Sequence, residues 1–487
     1  MNIAAKWFST KMTAKLYLIP AAVFLLLPSF AFSADKVLGM ADCVNIGLEM
    51  NFGIHRAKTD VKSADTSLAQ INAQYEPVLN VDVSRTGIKN TGASTIYGEE
   101  IKKDTLILGA SKKLAFSGGN VSLSWQNEID DSASTFKTMA GATNPGYNTD
   151  VAIVYSQPLL KNFAGKNDRA AIETVNLGKK ISSLSLEISI NALVANIEKA
   201  YLELVFQKKN LVLQKKFLQH DRELLEVNKR KYKDGLLEEV DLIATESAVT
   251  LNEIALIRTE DSFSNSRDAL LNIMGVSYEQ DYIFALNASI DVRSVKEDEV
   301  VEKAFANRPD LKALELKVIM DKTAKEIKKN ETLPGLNFQT SYGLRGSAGN
   351  WSDDYNSFEP NWSVGLNLKY FPFNELAGSL LKNSELILLN DKSLQDELKM
   401  RILKECREIT RRINTQIKYL NSAARILKLE KKKLKLEEIK FQQGRSSLQW
   451  TLRFRDDLIR AEIDYQRAET DYRKAVADLK LITGERI

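Results

Sequence analysis

The protein has 487 residues, enough for two or three ordinary domains, and 27% of them are charged. Its net charge of +4 falls to +1 without the three lysines of the predicted export signal described below. A charge this close to zero argues against a nucleic-acid partner. The two histidines, His55 and His220, lie far apart in the sequence and leave little material for a zinc site or a catalytic triad.

The first 34 residues have the pattern of a secretory signal peptide. Lysines mark the start, an apolar run covers 16–30, and the Ala-Phe-Ser-Ala stretch at 31–34 offers a cleavage site. The sequence therefore predicts a signal peptide at 1–34 and export of the rest. An uncleaved membrane anchor is the alternative.

The most informative feature is an internal duplication. Residues 190–275 align with 399–484 at a constant offset of 209 without a gap. Both copies carry apolar residues every seven positions, interrupted at Gly235 and Gly444. In the first copy these are Ile190, Ile197, Leu204, Leu211, Leu218, Leu225 and Tyr232. Each copy therefore predicts two long helices that pack through a heptad seam and meet at a glycine turn. The arm before the turn has about 65 residues, roughly 100 Å.

The duplication also includes segments of strand-like sequence. Pro77-Val78-Leu79-Asn80 matches Pro334-Gly335-Leu336-Asn337 at an offset of 257. Apolar and polar residues alternate at 79–84, 336–342 and 362–370. This alternation, with aromatic residues at the strand ends, is typical of a transmembrane β-barrel wall. A soluble sheet with one buried face is the alternative, because it would alternate too.

The predicted organisation is two structural repeats joined by an irregular connector at 276–298. The first repeat, 35–275, contains a helix, barrel strands at about 78–158 and a long helical hairpin at about 166–275. The second repeat, 299–487, contains a helix, barrel strands at about 335–371 and a long helical hairpin at about 375–484.

The first repeat has about 43 extra residues in its strand region. We predict two further strands there, at 105–115 and 121–129, joined by a tight turn at Ser117-Gly118-Gly119. Long loops at about 86–104 and 130–149 flank them. Short turns on one side and long loops on the other are typical of outer membrane barrels. Four strands per chain are expected, or six if the extra pair joins the barrel wall. A hairpin extending above the membrane is the competing explanation for the extra pair.

Several short motifs follow one another along the chain. They are Tyr155-Ser156-Gln157-Pro158-Leu159-Leu160, Asn307-Arg308-Pro309-Asp310-Leu311, the turns Tyr232-x-x-Gly235 and Phe441-x-x-Gly444, the alanines Ala461, Ala468 and Ala475, and the closing Leu481-Ile482-Thr483-Gly484. Together they resemble the TolC-like outer membrane efflux proteins, and the resemblance covers essentially the whole mature chain.

The resemblance implies the fold class: an α+β membrane protein that acts as a homotrimer of duplicated chains. Three chains would build one outer membrane β-barrel, usually with four strands per chain. The barrel would continue into a long antiparallel α-helical coiled-coil barrel in the periplasm. The implied partners are outer membrane lipid, a periplasmic membrane-fusion adaptor and an inner-membrane transporter, either ABC-type or proton-driven. No enzymatic activity, cofactor or metal is predicted.

The resemblance also locates the candidate site at the two glycine turns, which face the inner membrane in the family. By position, Gly235 and Leu236 carry over as adaptor contacts in the first copy, and Gly444 and Arg445 in the second. A glycine at a helix end also serves backbone shape alone, because it adopts positive φ.

Well-known multidrug members carry two aspartates shortly after the second glycine, which form a cation-attracting ring. Here Trp450 and Arg453 fall at those places, Asp241 is the first-copy match of Trp450, and Asp456 and Asp457 lie one turn later. We therefore expect a constriction that is not a simple acidic ring. A ring of Arg453 would favour anions or pair with Asp456. Alternatively, Arg453 only bridges neighbouring helices.

The two cysteines are Cys43 and Cys406, and export permits a disulfide between them. However, Cys406 stands on the heptad seam, where the first copy has Ile197, and this favours a small buried apolar role.

The predicted function is a passive exit duct of a tripartite export system, located in the outer membrane and extending into the periplasm. The alternative is a periplasmic or surface coiled-coil scaffold that transports nothing.

Overall fold

The computed structural model describes residues 37–89, 100–132, 144–279, 282–285 and 292–485. The predicted signal peptide at 1–34 lies outside these residues, as do the central parts of the two long loops of the strand region.

The elements are numbered in chain order. The first half contains the helices α1 (Met40–Met50), α2 (Phe52–Ala73), α3 (Lys166–Lys233) and α4 (Glu239–Met274). The second half contains α5 (Glu297–Asn307), α6 (Pro309–Glu331), α7 (Trp351–Asn356), α8 (Glu375–Gln442) and α9 (Leu448–Thr483). The strands are β1 (Val37–Leu38), β2 (Val78–Lys89), β3 (Glu100–Lys113), β4 (Asn120–Asp130), β5 (Gly146–Pro158), β6 (Ile283–Phe284), β7 (Gly335–Ala348) and β8 (Glu359–Lys369).

The long helical hairpins of the two halves have equal dimensions. Helices α3 and α8 have 68 residues each, and α4 and α9 have 36 each. A helix of that greater length extends about 100 Å. Each short arm packs on its own long arm, and α9 also packs on α3, which joins the two halves. Within the described parts of the chain, no helix combines the length and apolar composition needed to cross a membrane.

Two large apolar clusters lie at equivalent places in the repeats, and a smaller cluster around Leu420 and Ala468 lies in the second hairpin. The first cluster contains Cys43 and Ile197, and the second contains Val300 and Cys406. At the offsets that relate the repeats, Cys43 corresponds to Val300 and Cys406 to Ile197. Both cysteines are buried and free. Burial, with a smaller effect of neighbouring Asp42, raises the pKa of Cys43 to about 12. Each cysteine therefore replaces an apolar residue of the other repeat.

The Asn-Arg-Pro-Asp-Leu motif joins α6 to the long helix α8. The Arg308 guanidinium donates hydrogen bonds to Asp310, at 2.7 Å, and to Glu405 on α8. In the first repeat the matching position is Asn51, whose Oδ1 atom caps α2 by accepting from Ile54 N at 3.2 Å. Equivalent positions thus start the second helix of each repeat, but Asn51 does so with an amide cap and Arg308 with ion pairs.

The six long strands form one antiparallel sheet in the order β2-β3-β4-β5-β7-β8. The two-residue strands β1 and β6 form a separate parallel pair. The extra strands predicted in the first repeat are present as β3 and β4, with Gly118 at φ 74° in the turn between them. β3 pairs with β2 from Glu100 to Ser111, and β4 pairs with β5 along its whole length. The hairpin therefore lies within the sheet, and the sheet has six strands.

Candidate functional site at the hairpin tips

Both hairpin turns have the same backbone structure. Gly235 has φ 71° and Gly444 has φ 68°. The Leu236 N–H donates to the Lys231 carbonyl at 2.8 Å, and the Arg445 N–H donates to the Lys440 carbonyl at 2.9 Å. In each turn the glycine N–H donates to the carbonyl three residues earlier, at 3.0 Å. These bonds form a Schellman motif, which satisfies the last carbonyls of a helix and requires a left-handed residue after its end.

The two turns present different surfaces. The Leu236 side chain is 75% exposed, and nearby Val240 is 73% exposed. The second turn has the exposed Arg445 at the place of Leu236. The Lys231 ammonium lies 5.3 Å from the centre of the Phe441 ring, so a cation–π contact joins the two hairpins beside their turns. The first turn thus exposes Leu236 and Val240 together with the acidic Glu238 and Glu239, whereas the second turn exposes the basic Arg445.

The predicted constriction residues fall into two groups in the structure. Asp241 and Trp450 occupy the same place, the first turn of α4 and of α9. The Arg453 guanidinium lies 5.4 Å from the Trp450 ring, which in turn lies 5.7 Å from the Phe454 ring. Arg453 is exposed and contacts the ring of its own helix, one turn earlier. A guanidinium held over an indole keeps its charge available to solvent.

The two aspartates one turn later differ in their surroundings. Asp457 accepts from Lys433 Nζ on α8 at 2.8 Å, so its charge is paired within the second hairpin. Desolvation by the surrounding protein, followed by repulsion from Asp221, raises the pKa of Asp456 above its ordinary value of 3.8. Asp456 is nevertheless exposed to solvent.

A buried ion pair links the two hairpins, and sequence reasoning missed it. Arg455 Nη1 on α9 lies 3.2 Å from Asp221 Oδ1 on α3, and these side chains are 15% and 4% exposed. The other Asp221 oxygen accepts from Asn252 Nδ2 on α4 at 2.5 Å. Arg455 Nη2 also lies 3.7 Å from Glu438 Oε1 on α8, so the cluster around this pair connects all four arms in the tip half of the hairpins.

One sequence signal could have revealed it. Polar residues stand at seven-residue intervals in α3, each three positions after a seam leucine, and all are buried: Gln214, Asp221 and Asn228. Such positions normally face the partner helix and are apolar. Asn228 Nδ2 donates to Thr245 Oγ1 at 2.9 Å, and both residues are fully buried. Polar side chains thus form part of the interior of the first hairpin near its tip, beside the buried apolar Leu218 and Val249.

A second ionic link lies closer to the apolar core. Glu203 on α3 accepts from Arg467 Nη1 at 2.9 Å and from Lys474 Nζ at 2.5 Å, both on α9. Burial alone would raise the pKa of Glu203, but hydrogen bonds from Lys474 and Gln207 and the charges of Lys474 and Arg467 lower it below its ordinary value of 4.5. Arg467 also lies 3.9 Å from the Phe206 ring.

Across the described residues, no three His, Cys, Asp or Glu side chains are grouped so as to hold a metal ion. The polar groups at the tips are arranged in ion pairs and hydrogen bonds between helices. These interactions hold the helices of the two hairpins together, and breaking them would release one hairpin from the other.

Solved structures of outer membrane proteins have the same architecture. The outer membrane channel CmeC of Campylobacter jejuni is 16% identical, with a TM-score of 0.65 over 91% of this chain and 85% of CmeC. The outer membrane protein VceC of Vibrio cholerae is 13% identical, with a TM-score of 0.65 over 91% of this chain and 96% of VceC. The open-state outer membrane channel MtrE of Neisseria gonorrhoeae is 13% identical, with a TM-score of 0.65 over 91% of this chain and 88% of MtrE.

Comparison with protein-family models and with curated proteins gives no match. The structural likeness extends over nearly all of the described residues and over both repeats. The resemblance that the motifs indicate is confirmed in the tertiary structure: the chain has the fold of the TolC-like outer membrane efflux proteins.

Proposed function

We propose that this protein is the outer membrane exit duct of a tripartite export system. It acts as a homotrimer and passively conducts substrate from an inner-membrane transporter, through a periplasmic adaptor, to the exterior. The observation that carries this proposal is the combination, in one chain, of an exposed apolar sheet face and helical hairpins about 100 Å long. Lipid accounts for the sheet face, and the need to cross a wide aqueous compartment accounts for the hairpins.

The exposed apolar face is clearest on the edge strand β8. Its alternate residues are exposed and apolar, with relative exposures of 74%, 60%, 68% and 64% for Trp362, Val364, Leu366 and Leu368. A contiguous surface of this kind is rare on a protein that stays in water. It is the expected outer face of a membrane-embedded sheet, with an aromatic residue toward one end.

The tips carry the proposed adaptor contact and gate. Leu236 and Val240 offer an apolar contact, and Gly235, Gly444 and Arg445 shape the turns that a partner hairpin can reach. The Arg455–Asp221 pair would hold the arms in the closed arrangement. Opening then requires the first hairpin to separate from α9 at the polar layer formed by Asp221, Asn252 and Arg455. In this layer, side chains can exchange their protein partners for water at a lower cost than apolar side chains of a heptad seam could.

The constriction is proposed to lie at Asp241, Trp450, Arg453, Asp456 and Asp457. Asp457 is paired with Lys433, so part of the acidic charge near the bore is compensated within the second hairpin. The positive charge of exposed Arg453 would then dominate the constriction, and the three copies in the trimer would form a ring that favours anions.

Fractionation and electrical recording test the duct. We expect a heat-modifiable trimer in the outer membrane fraction and discrete conductance steps in planar bilayers. Material that is monomeric in detergent and electrically silent would refute the proposal. Recovery in the soluble periplasmic extract would favour the scaffold instead.

Single-channel selectivity tests the constriction. Arg453→Ala should shift the reversal potential in a salt gradient toward cation preference. Arg425→Ala is the matched control, because Arg425 is also exposed but stands on α8, 19 residues before Gly444. An unchanged selectivity in Arg453→Ala would reject the role of this residue while leaving the duct intact.

A further inference from the structure

The hairpin formed by β3 and β4 distinguishes the first repeat from the second. In the second repeat β7 and β8 are neighbours in both sequence and sheet. In the first repeat, β3 and β4 stand between β2 and β5. An insertion of this kind either extends away from a sheet or widens it, and the strand register distinguishes these arrangements.

Two adjacent rows of directly paired residues cross all six strands on one face. One row is Leu79, Ala110, Leu123, Ile153, Tyr342 and Trp362. The next is Val81, Leu108, Trp125, Val151, Leu344 and Pro360. All twelve residues are apolar, and the rows pass through β3 and β4 without a break.

The opposite face carries small and polar residues in the row between them. This row is Asn80, Gly109, Ser124, Ala152, Gly343 and Asn361. Residues on one face of a sheet share one environment. The inserted strands therefore have the same apolar side and the same polar side as the strands common to both repeats.

Exposure agrees with this assignment. On the inserted strands Leu108 is 43% exposed and Leu123 is 52% exposed, and on β5 Ile153 is 49% exposed. A hairpin standing in water outside the membrane would have no reason to display leucines in register with the lipid-facing residues of its neighbours. The apolar face of β3 and β4 thus fits the same hydrocarbon layer.

The sheet ends in two edges, β2 and β8. Open edges are not tolerated in lipid, because each unpaired backbone group there costs several kcal/mol. All neighbours are antiparallel and the number of strands is six, so β8 runs opposite to β2. The β8 edge of one copy can therefore continue the antiparallel sheet by pairing with the β2 edge of another copy.

We propose that β3 and β4 are part of the membrane wall, and that three chains of six strands close one barrel of eighteen strands. This inference rests on the proposed trimeric duct and adds the size of its outer membrane part. With strands about 4.8 Å apart and tilted by about 40°, eighteen strands close at a backbone radius of roughly 18 Å, against roughly 12 Å for twelve. A barrel of this radius would admit large, hydrated cargo. The narrowest part of the duct would therefore lie at the hairpin tips and not in the membrane.

Cysteine accessibility in membranes tests the placement of the hairpin. Leu123→Cys and Ser124→Cys probe the two faces of β4, and Ile153→Cys and Ala152→Cys are matched controls paired with them on β5. The probe is a charged, membrane-impermeant maleimide, and the unmodified protein, with its two buried cysteines, is the blank. We expect rapid labelling at 124 and 152 and about tenfold slower labelling at 123 and 153, because lipid excludes the reagent.

The outcomes separate the inference from the proposed function. Alternation on β5 with equal, rapid labelling at both β4 positions would place the hairpin in water and overturn the inference while leaving the duct intact. Loss of alternation on both strands would refute the membrane sheet itself. Electron cryo-microscopy of the detergent-purified protein gives an independent count. Eighteen strands would support the inference, and twelve strands with a projecting hairpin would overturn it.

Discussion

The buried pair between Arg455 and Asp221 allows a quantitative test of how the tips are held. We consider Arg455→Met, which removes the guanidinium but keeps an unbranched apolar stem. Asp221 would remain buried at 4% side-chain exposure, with only the hydrogen bond from Asn252 at 2.5 Å. Removal of one partner from a buried ion pair leaves the other charge uncompensated.

Such removals cost about 3–5 kcal/mol. The remaining hydrogen bond from Asn252 places the cost near the lower end of that range. A loss of about 3 kcal/mol corresponds to a roughly 150-fold shift in the local opening equilibrium, at 1.36 kcal/mol per factor of ten. The effect should be confined to the tips, since Ile197 and Leu204 of the apolar core lie more than one heptad away from Asp221 along α3.

Hydrogen exchange of the intact trimer in detergent measures this opening. Peptides from α3 around Asp221 and from α9 around Arg455 should exchange about two orders of magnitude faster in Arg455→Met. Peptides from the core around Ile197 should not change. Arg460→Met is the matched control, because Arg460 is exposed on the same helix and such positions contribute about 0–1 kcal/mol.

The double variant Arg455→Met with Asp221→Leu separates the effect of the uncompensated Asp221 carboxylate from the effect of lost packing. It should recover most of the lost protection, because apolar replacement of a buried ion pair is often neutral or stabilising. Unchanged exchange in the single variant would show that the pair does not hold the tips. Equal losses in the single and double variants would show that packing, and not the uncompensated carboxylate, sets the cost.

Three further predictions concern the turns and the ionisable groups. Gly235→Ala should destabilise the tip by about 1–2 kcal/mol through left-handed backbone strain, measured as a fall in thermal midpoint, whereas Gly178→Ala inside α3 should stabilise by about 0.5–1 kcal/mol. Glu203 has a lowered pKa, so its link to Lys474 should be fully present above about pH 4.5 and be lost as the pH falls through the folded-state value, and Glu203→Gln should flatten that part of the stability–pH curve. Asp456 has a raised pKa, so stability at the tip is lost as the pH rises through the folded-state value, and Asp456→Asn should protect the tip from exchange at neutral pH.

Each of these three predictions has an outcome that would contradict it. No atom lies within 4 Å of a Cβ added at Gly235 or Gly178, so equal effects at both glycines would rule out backbone strain as the cause. A stability curve of Glu203→Gln that falls in acid as steeply as the original would assign the acid loss to other carboxylates. Faster exchange in Asp456→Asn would mean that the ionised carboxylate stabilises the tip, contrary to its raised pKa.

Features with a short repeat along the chain could be predicted from the sequence. Ile197 and Leu204 are fully buried, as their places on the seven-residue seam indicate. Trp362 and Val364 are exposed and lie on one face of β8, as their alternation predicts. These predictions succeed because a helix or strand has a fixed period, so the face of each residue follows from its position. The sequence also showed the insertion in the first repeat, but left open whether it belongs to the sheet.

Contacts between distant segments were decided only in the tertiary structure. Arg455 and Asp221 are 234 residues apart, and neither has a local pattern that names the other as its partner. The constriction prediction considered Asp456 and Asp457 but missed Arg455 beside them, because the packing of α9 on α3 determines which side chain of that turn points inward.

The sequence by itself determined the duplicated hairpins, their glycine turns and the alternating strands, since local backbone geometry links each pattern to one conformation. The tertiary structure decided that β3 and β4 complete a six-stranded sheet and that Arg455 joins the two hairpins. Both depend on the register between elements far apart in the chain, which is set by the packing of whole faces and cannot be read from either segment alone.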